Sequence, residues 1–170
     1  DDRGREILTY APGVTMWPGA PHLLHTDATI DRAAGLLRRL HALGVVHGDF
    51  GAWNVVVDVE TDRWTIIDWD EVDDSDAADD VAQGVLSFCD LWSQVCPTPD
   101  EAVRRARRFV AAYGLDDASV LVVLRQIPRL CERNGRAMGR RGMADHETMW
   151  LGHAGHAAAQ LPLWQVELDR

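Results

Sequence analysis

His47-Gly48-Asp49-Phe50-Gly51-Ala52-Trp53-Asn54, followed one hairpin later by Ile66-Ile67-Asp68-Trp69-Asp70, is the stretch on which the fold turns. Between its two halves, residues 55–59 and 63–68 are apolar runs separated by Glu60-Thr61-Asp62, which reads as a β-hairpin. A hairpin returns the chain to the edge it left, so Asp49, Asn54 and Asp68 are expected at one edge. Upstream, a helix is predicted over residues 27–43. Ile30, Ala33, Ala34, Leu37, Leu40 and His41 repeat there at 3,4 spacing, and Gly44 supplies the stop. Residues 14–26, broken by Pro18, Gly19 and Pro21, read as a loop, and residues 5–10 as a short strand.

Downstream the pattern is helical. Val81, Val85, Phe88, Cys89 and Trp92 make one stripe of a helix expected to run from Val81 to about Val95 and to end at Pro97. Thr98-Pro99-Asp100-Glu101 reads as a capping box with proline at the first helical position, opening a helix to Tyr113-Gly114. A further helix starts near Asp117 with a kink expected at Pro128, and a last one covers roughly residues 146–159. The fold class is α+β and mostly helical, with the hairpin embedded among helices.

The composition bounds the chemistry. The chain has 170 residues, which suits one domain or one large lobe, and 46% hydrophobic with 26% charged residues is an ordinary globular balance. A net charge of −10 argues against nucleic acid as a partner, since phosphate backbones attract positive surfaces. No apolar run approaches the ~18–20 residues of a membrane span. The charged start Asp1-Asp2-Arg3-Gly4-Arg5 has no signal-peptide core, and Cys89, Cys96 and Cys131 are odd in number without a CxxC. A reducing, cytoplasmic setting is expected. All 17 basic residues are arginine, so no mechanism that needs a lysine can be completed within these residues.

Phosphoryl transfer from a nucleotide asks three things of such a site. A carboxylate must orient the attacking hydroxyl and accept its proton, oxygen ligands must hold Mg²⁺ against the phosphates, and a rigid backbone must keep the two in register. Asp49 in a loop with Asn54 at the mouth of a strand offers the first and part of the second, and Asp68 on the returning strand completes the oxygen set that Mg²⁺ favours.

The pattern H-x-D-x-x-x-x-N followed by I-D-[WF]-[DE] resembles the catalytic loop and metal segment of the aminoglycoside phosphotransferase/choline kinase-like enzymes, relatives of the protein kinases. The resemblance implies the C-terminal lobe of a kinase-like fold, with residues 1–13 as the inter-lobe hinge strand and 14–170 as the helical lobe. It implies Asp49 as the catalytic base, His47 as the brace of the loop, Asn54 and Asp68 as Mg²⁺ ligands, and the backbone of Leu8, Thr9 and Tyr10 facing the base of ATP or GTP. Asp80 stands where the family places the Asp that opens the next helix, as an N-cap or a brace on the loop. The implied reaction is transfer of a γ-phosphate to a hydroxyl of a small, cationic or sugar-like acceptor. In the family a Gly-rich loop and a strand lysine lie in an N-terminal lobe before the hinge. Their absence from these residues leaves a non-catalytic lobe, binding ligand or partner without turnover, as the alternative. An N-lobe or a second copy of the chain is then the expected protein partner, with Tyr10 and Trp17 forming an apolar patch.

Other features have simpler readings. Asp68, Asp70, Glu71, Asp73, Asp74, Asp76, Asp79 and Asp80 make an acidic run, read as a solvated loop at Asp73, Asp74 and Asp76, or as a lip that draws in a cationic acceptor. His146, His153 and His156 share helical spacing, but without cysteines nearby they read as helix-surface histidines rather than a zinc site. Trp150 and Trp164 read as core. The arginines at 104, 105, 107 and 108 and at 133, 136, 140 and 141 read as surface charge offsetting the acidic run. A metal-dependent phosphohydrolase using His47, Asp49, Asp68 and Asp70 is a third, weaker reading, since such sites draw on more ligands.

Overall fold

The structure is a computed structural model that describes residues 10–17, 19, 26–69, 76–92 and 97–170. Five helices carry the chain: α1 (Asp27–Ala42), α2 (Ala77–Phe88), α3 (Pro99–Tyr113), α4 (Ala118–Arg140) and α5 (Ala144–Leu168). Three short strands, β1 (Val14–Thr15), β2 (Val55–Asp58) and β3 (Arg63–Ile66), form an antiparallel sheet in the order β1-β2-β3. The mixed, helix-rich architecture is α+β.

The hairpin forms where the two apolar runs placed it, with Val55 paired to Ile66 and Asp58 to Arg63. The Asp58 carboxylate closes its turn by accepting from the Glu60 N–H (3.0 Å) and the Thr61 hydroxyl (2.6 Å), and Asp62 takes a positive φ of 54°. Arg32 of α1 stacks 4.5 Å over the Trp64 ring and bonds Asp62, so the hairpin is latched to the helix that precedes it.

In α1 the apolar stripe is fully buried at Ile30, Ala33, Ala34 and Leu37. Thr26 caps its start, and Gly44 follows its end at φ 75°. A small-residue stripe lets α3 approach closely, and Ala102, Ala106 and Phe109 are fully buried there. Gly84 of α2 belongs to the same packing: a Cβ on it would lie 2.5 Å from Phe109 Cζ. Cys89, Leu124, Ile127, Cys131 and Trp164 extend this core, and Trp150 joins it at its edge.

Several boundaries differ from the sequence reading. Within the segment read as a loop, Val14 and Thr15 pair with Val57 and Val56 as a third strand, two residues being too few to show a period. Helix α2 begins four residues before Val81, capped by Asp76, whose carboxylate accepts from the Asp79 N–H at 2.9 Å. It ends at Phe88 rather than near Val95, because Asp90 turns left-handed at φ 66°. Thr98 starts α3 without a side-chain cap bond, and Glu101 pairs with Arg104 and Arg105 instead of reaching back. Helix α4 is continuous through Pro128. Helix α5 runs nine residues past position 159 and through Pro162, anchored by the fully buried Trp164. Residues 5–9 of the expected hinge strand, Asp70, Glu71, Asp73 and Asp74 of the acidic run, and Cys96 lie outside the described residues.

Candidate active site

The candidate site is the loop between α1 and β2, and its shape follows from one buried carboxylate. Asp80, in the first turn of α2, is fully buried. Its Oδ2 accepts from the His47 N–H at 2.7 Å and its Oδ1 from the Gly48 N–H at 2.8 Å. The same Oδ2 lies 3.0 Å from His41 Nε2, and His41 Nδ1 lies 2.7 Å from the Tyr113 hydroxyl. With the carboxylate as acceptor, Nε2 carries the proton and Nδ1 accepts from the tyrosine. One acid thus ties α1, α2 and α3 to the loop. Burial, reinforced by the nearby Asp80 charge, raises the pKa of Tyr113, so its hydroxyl stays a donor. Gly48 sits at φ 88°, a left-handed backbone open to glycine, and this turns successive N–H groups toward Asp80.

His47 is fully buried, and both ring nitrogens serve the backbone. Nδ1 accepts from the Asp49 N–H (3.2 Å), which leaves Nε2–H to donate to the Ile67 carbonyl at 2.9 Å. The ring therefore joins the loop to the segment after β3.

Three side-chain N–H donors converge on the Asp49 carboxylate. Trp53 Nε1 (3.0 Å) and Asn54 Nδ2 (2.9 Å) donate to Oδ2, and Gln83 Nε2 donates to Oδ1 at 2.8 Å. Asn54 Nδ2 also donates to the Asp49 carbonyl at 3.0 Å. With the amide nitrogen committed to two acceptors, Asn54 presents its oxygen away from Asp49. Gly51 leaves room for this arrangement, since a Cβ there would lie 2.3 Å from the Trp53 ring. The Ala52 N–H is bonded to Ser87 Oγ of α2 at 2.8 Å.

The hairpin register returns Asp68 to the same edge. Val55 pairs with Ile66, and the Ile67 N–H donates to the Asn54 carbonyl at 3.0 Å. Asp68 follows directly, exposed and left-handed at φ 64°, a conformation Asp tolerates better than most residues. The structure therefore gathers His47, Asp49, Asn54 and Asp68 around the mouth of the hairpin. Leu8 and Thr9 lie outside the described residues, and Tyr10 is exposed and in no strand.

An oxygen set of Asn54 and Asp68 suits Mg²⁺, which takes few protein ligands and completes its shell with water and phosphate. No group of three or more His, Cys, Asp or Glu side chains that could hold a metal is found among the described residues. The histidines of α5 show why: His146 is exposed, whereas His153 is buried against Trp92 and Trp150, with ring centroids 4.7 and 6.0 Å away. Among the described residues the thiols of Cys89 and Cys131 offer no nucleophile either. Burial raises Cys89 strongly and pushes Cys131 up to about 12.

Sequence reasoning missed Trp53 and Gln83 as neighbours of Asp49, and Ser87 as a holder of the loop. Trp53 lies inside the motif, so its proximity was available as a signal, whereas Gln83 and Ser87 reach the loop only through the packing of α2. The acids and arginines outside the site are also structural. Asp79 is buried, receives Gln126 Nε2 at 2.9 Å and pairs with Arg133. Arg104 and Arg108 bond Asp27 and Asp31 of α1, so among the described residues that cluster offsets α1.

Residues 42–121 match the family model described as the phosphotransferase enzyme family. Over this stretch, a little under half of the chain, the sequence is similar to that family. The matched segment holds the site from His47 through Asp68 to Asp80, Gln83 and Ser87, and His41 lies one residue before it. No curated protein and no solved structure gives a significant match. No helix among the described residues is long and apolar enough to cross a membrane.

Proposed function

We propose that this chain is the kinase-like catalytic lobe of an ATP- or GTP-dependent phosphotransferase acting on a hydroxyl of a small, cationic or sugar-like molecule. The observation that carries the reading is the 2.9 Å bond from the Asn54 amide to the Asp49 carboxylate, within the segment that matches the phosphotransferase family. It puts the candidate base and a candidate oxygen ligand in fixed register, as phosphoryl transfer requires.

In this reading Asp49 orients the acceptor O–H and takes its proton as the oxygen attacks the γ-phosphorus and the bond to the nucleoside diphosphate oxygen breaks. Asn54 Oδ1 and the Asp68 carboxylate hold Mg²⁺, which when bound offsets phosphate charge. His47 and Asp80 keep the loop backbone from moving while this happens. The acidic run beside Asp68 favours a cationic acceptor through its field.

Calorimetric titration with ATP, with and without Mg²⁺, tests the reading alongside an Asp68→Asn variant. Mg²⁺-dependent binding that the variant loses is the expected result, and no binding at millimolar nucleotide overturns it. A lobe that binds ligand without turnover is the second reading, favoured by the absence of lysine from these 170 residues. It predicts the same binding isotherm with no phosphate released.

A further inference from the structure

We propose that Gln83 is a positioning residue for Asp49, fixing the plane in which its carboxylate meets an attacking hydroxyl. The proposal rests on the phosphotransferase reading of Asp49. Asp80, Gln83 and Ser87 are spaced i, i+3, i+7 on α2, so they share one face. That face follows the loop: Asp80 bonds the N–H groups of His47 and Gly48, Gln83 the side chain of Asp49, and Ser87 the N–H of Ala52. Asp80 and Ser87 hold backbone, while Gln83 alone of the three reaches the working carboxylate.

Geometry explains why that contact matters. An Asp carboxylate turns about χ2 in a broad, nearly two-fold well, so donors to one oxygen do not set its plane. Trp53 and Asn54 both donate to Oδ2, and both belong to the loop that carries Asp49. Gln83 donates to Oδ1 from a different element, at 2.8 Å. Two oxygens held from two sides define an orientation.

The surroundings of Gln83 point the same way. It is 1% exposed, and its Oε1 is buried with no hydrogen-bond partner among the described residues. A methionine would fill this volume without burying an unpaired acceptor. What the amide adds at this position is its N–H.

The test uses the full-length protein and MgATP, with phosphate release to water as the readout, for wild type, Gln83→Met, Gln83→Glu and, as reference, Asp49→Asn. Gln83→Met is expected to lower kcat on the order of 10- to 100-fold while KM for MgATP stays within about twofold. Gln83→Glu keeps the shape but replaces the amide N–H with a second carboxyl against Asp49, and is expected to do no better than Gln83→Met. A purely structural amide would lower the melting temperature of both variants and leave kcat unchanged below it. Folded Gln83→Met with wild-type kcat overturns the proposal while an inactive Asp49→Asn leaves the phosphotransferase reading standing. Wild type no faster than Asp49→Asn overturns that reading, and this proposal with it.

Discussion

The Asp80 carboxylate holds the His47 N–H at 2.7 Å across 33 residues of chain, and the same oxygen meets His41 at 3.0 Å. A buried acid with two backbone donors and an imidazole is fully used. Removing it leaves the buried His47 N–H and the partly buried Gly48 N–H and His41 Nε2 without this acceptor, which is costlier than the net worth of the bonds themselves. Asp80→Ala is expected to cost about 3 kcal/mol or more. Asp80→Asn, which keeps one acceptor oxygen, should cost less. Urea unfolding of the two variants gives the order; equal, sub-kilocalorie losses would show that water reaches these groups.

Trp53 and Gly51 make a steric pair. An alanine methyl at position 51 would lie 2.3 Å from the indole, so the ring must leave its place and the bond to Asp49 Oδ2 with it. Gly51→Ala is expected to lower stability by about 1–3 kcal/mol, the usual cost of overpacking. It should also shift the Trp53 indole N–H resonance, which Trp53→Phe identifies by deletion. An unmoved resonance in Gly51→Ala would mean that the loop backbone yields instead.

How far the sequence carries this description depends on whether the deciding contacts are local. The motif and hairpin are legible because Asp49, Asn54 and Asp68 are brought to one edge by a four-residue turn between two adjacent apolar runs. The helix stripes are legible for the same reason. The start of α2 is not, because Asp76, Asp79 and Asp80 are chemically alike. Packing decides that Asp76 caps the helix and Asp79 pairs with Arg133, which leaves Asp80, of the two roles the resemblance implied for it, the brace on the loop at residues 47–54. The reach of α5 beyond Pro162 was hidden by the proline, whose missing N–H removes one helical bond but does not outweigh the burial of Trp164.

His153 gives stability a pH dependence of definite sign. Burial among Trp92 and Trp150, aided by the neighbouring His156, lowers its pKa below the ordinary 6.5. Above that value the ring is neutral in both folded and unfolded chains and contributes no slope. As pH falls below it, the unfolded chain binds a proton before the folded one does, so stability declines until the folded pKa is passed. Melting followed by tryptophan fluorescence from pH 7.5 to 5 should show this decline. His153→Phe should flatten it, and an identical slope in the variant would exclude His153 as its source.

Glu101 acts in a lower window. Hydrogen bonds from Arg104, then Arg105, hold its carboxyl at about 2 against an ordinary value of 4.5. Its contribution is therefore complete above pH 4.5 and lost as pH falls toward 2. In Glu101→Gln stability above pH 5 should be lowered by a small constant amount, and the difference from wild type should vanish as pH falls from 4.5 toward 2. A parallel shift of the whole curve would show that the side chain matters through packing and not through charge.

The contact between α1 and α3 shows which interactions carry the fold. Arg108 bonds Asp31 (2.6 Å) and Asp27 (2.8 Å), yet all three side chains are more than a third exposed. Water screens such pairs, and holding long side chains in one geometry costs entropy. One residue along, Phe109 is fully buried, with Gly84 close against its ring. Phe109→Ala is expected to cost about 3–5 kcal/mol, combining lost apolar transfer with a residual cavity. Arg108→Ala should barely move the urea midpoint, and high salt should erase what difference there is. A salt-insensitive loss in Arg108→Ala as large as that of Phe109→Ala would reverse this ranking and place the helix contact on its ion pairs.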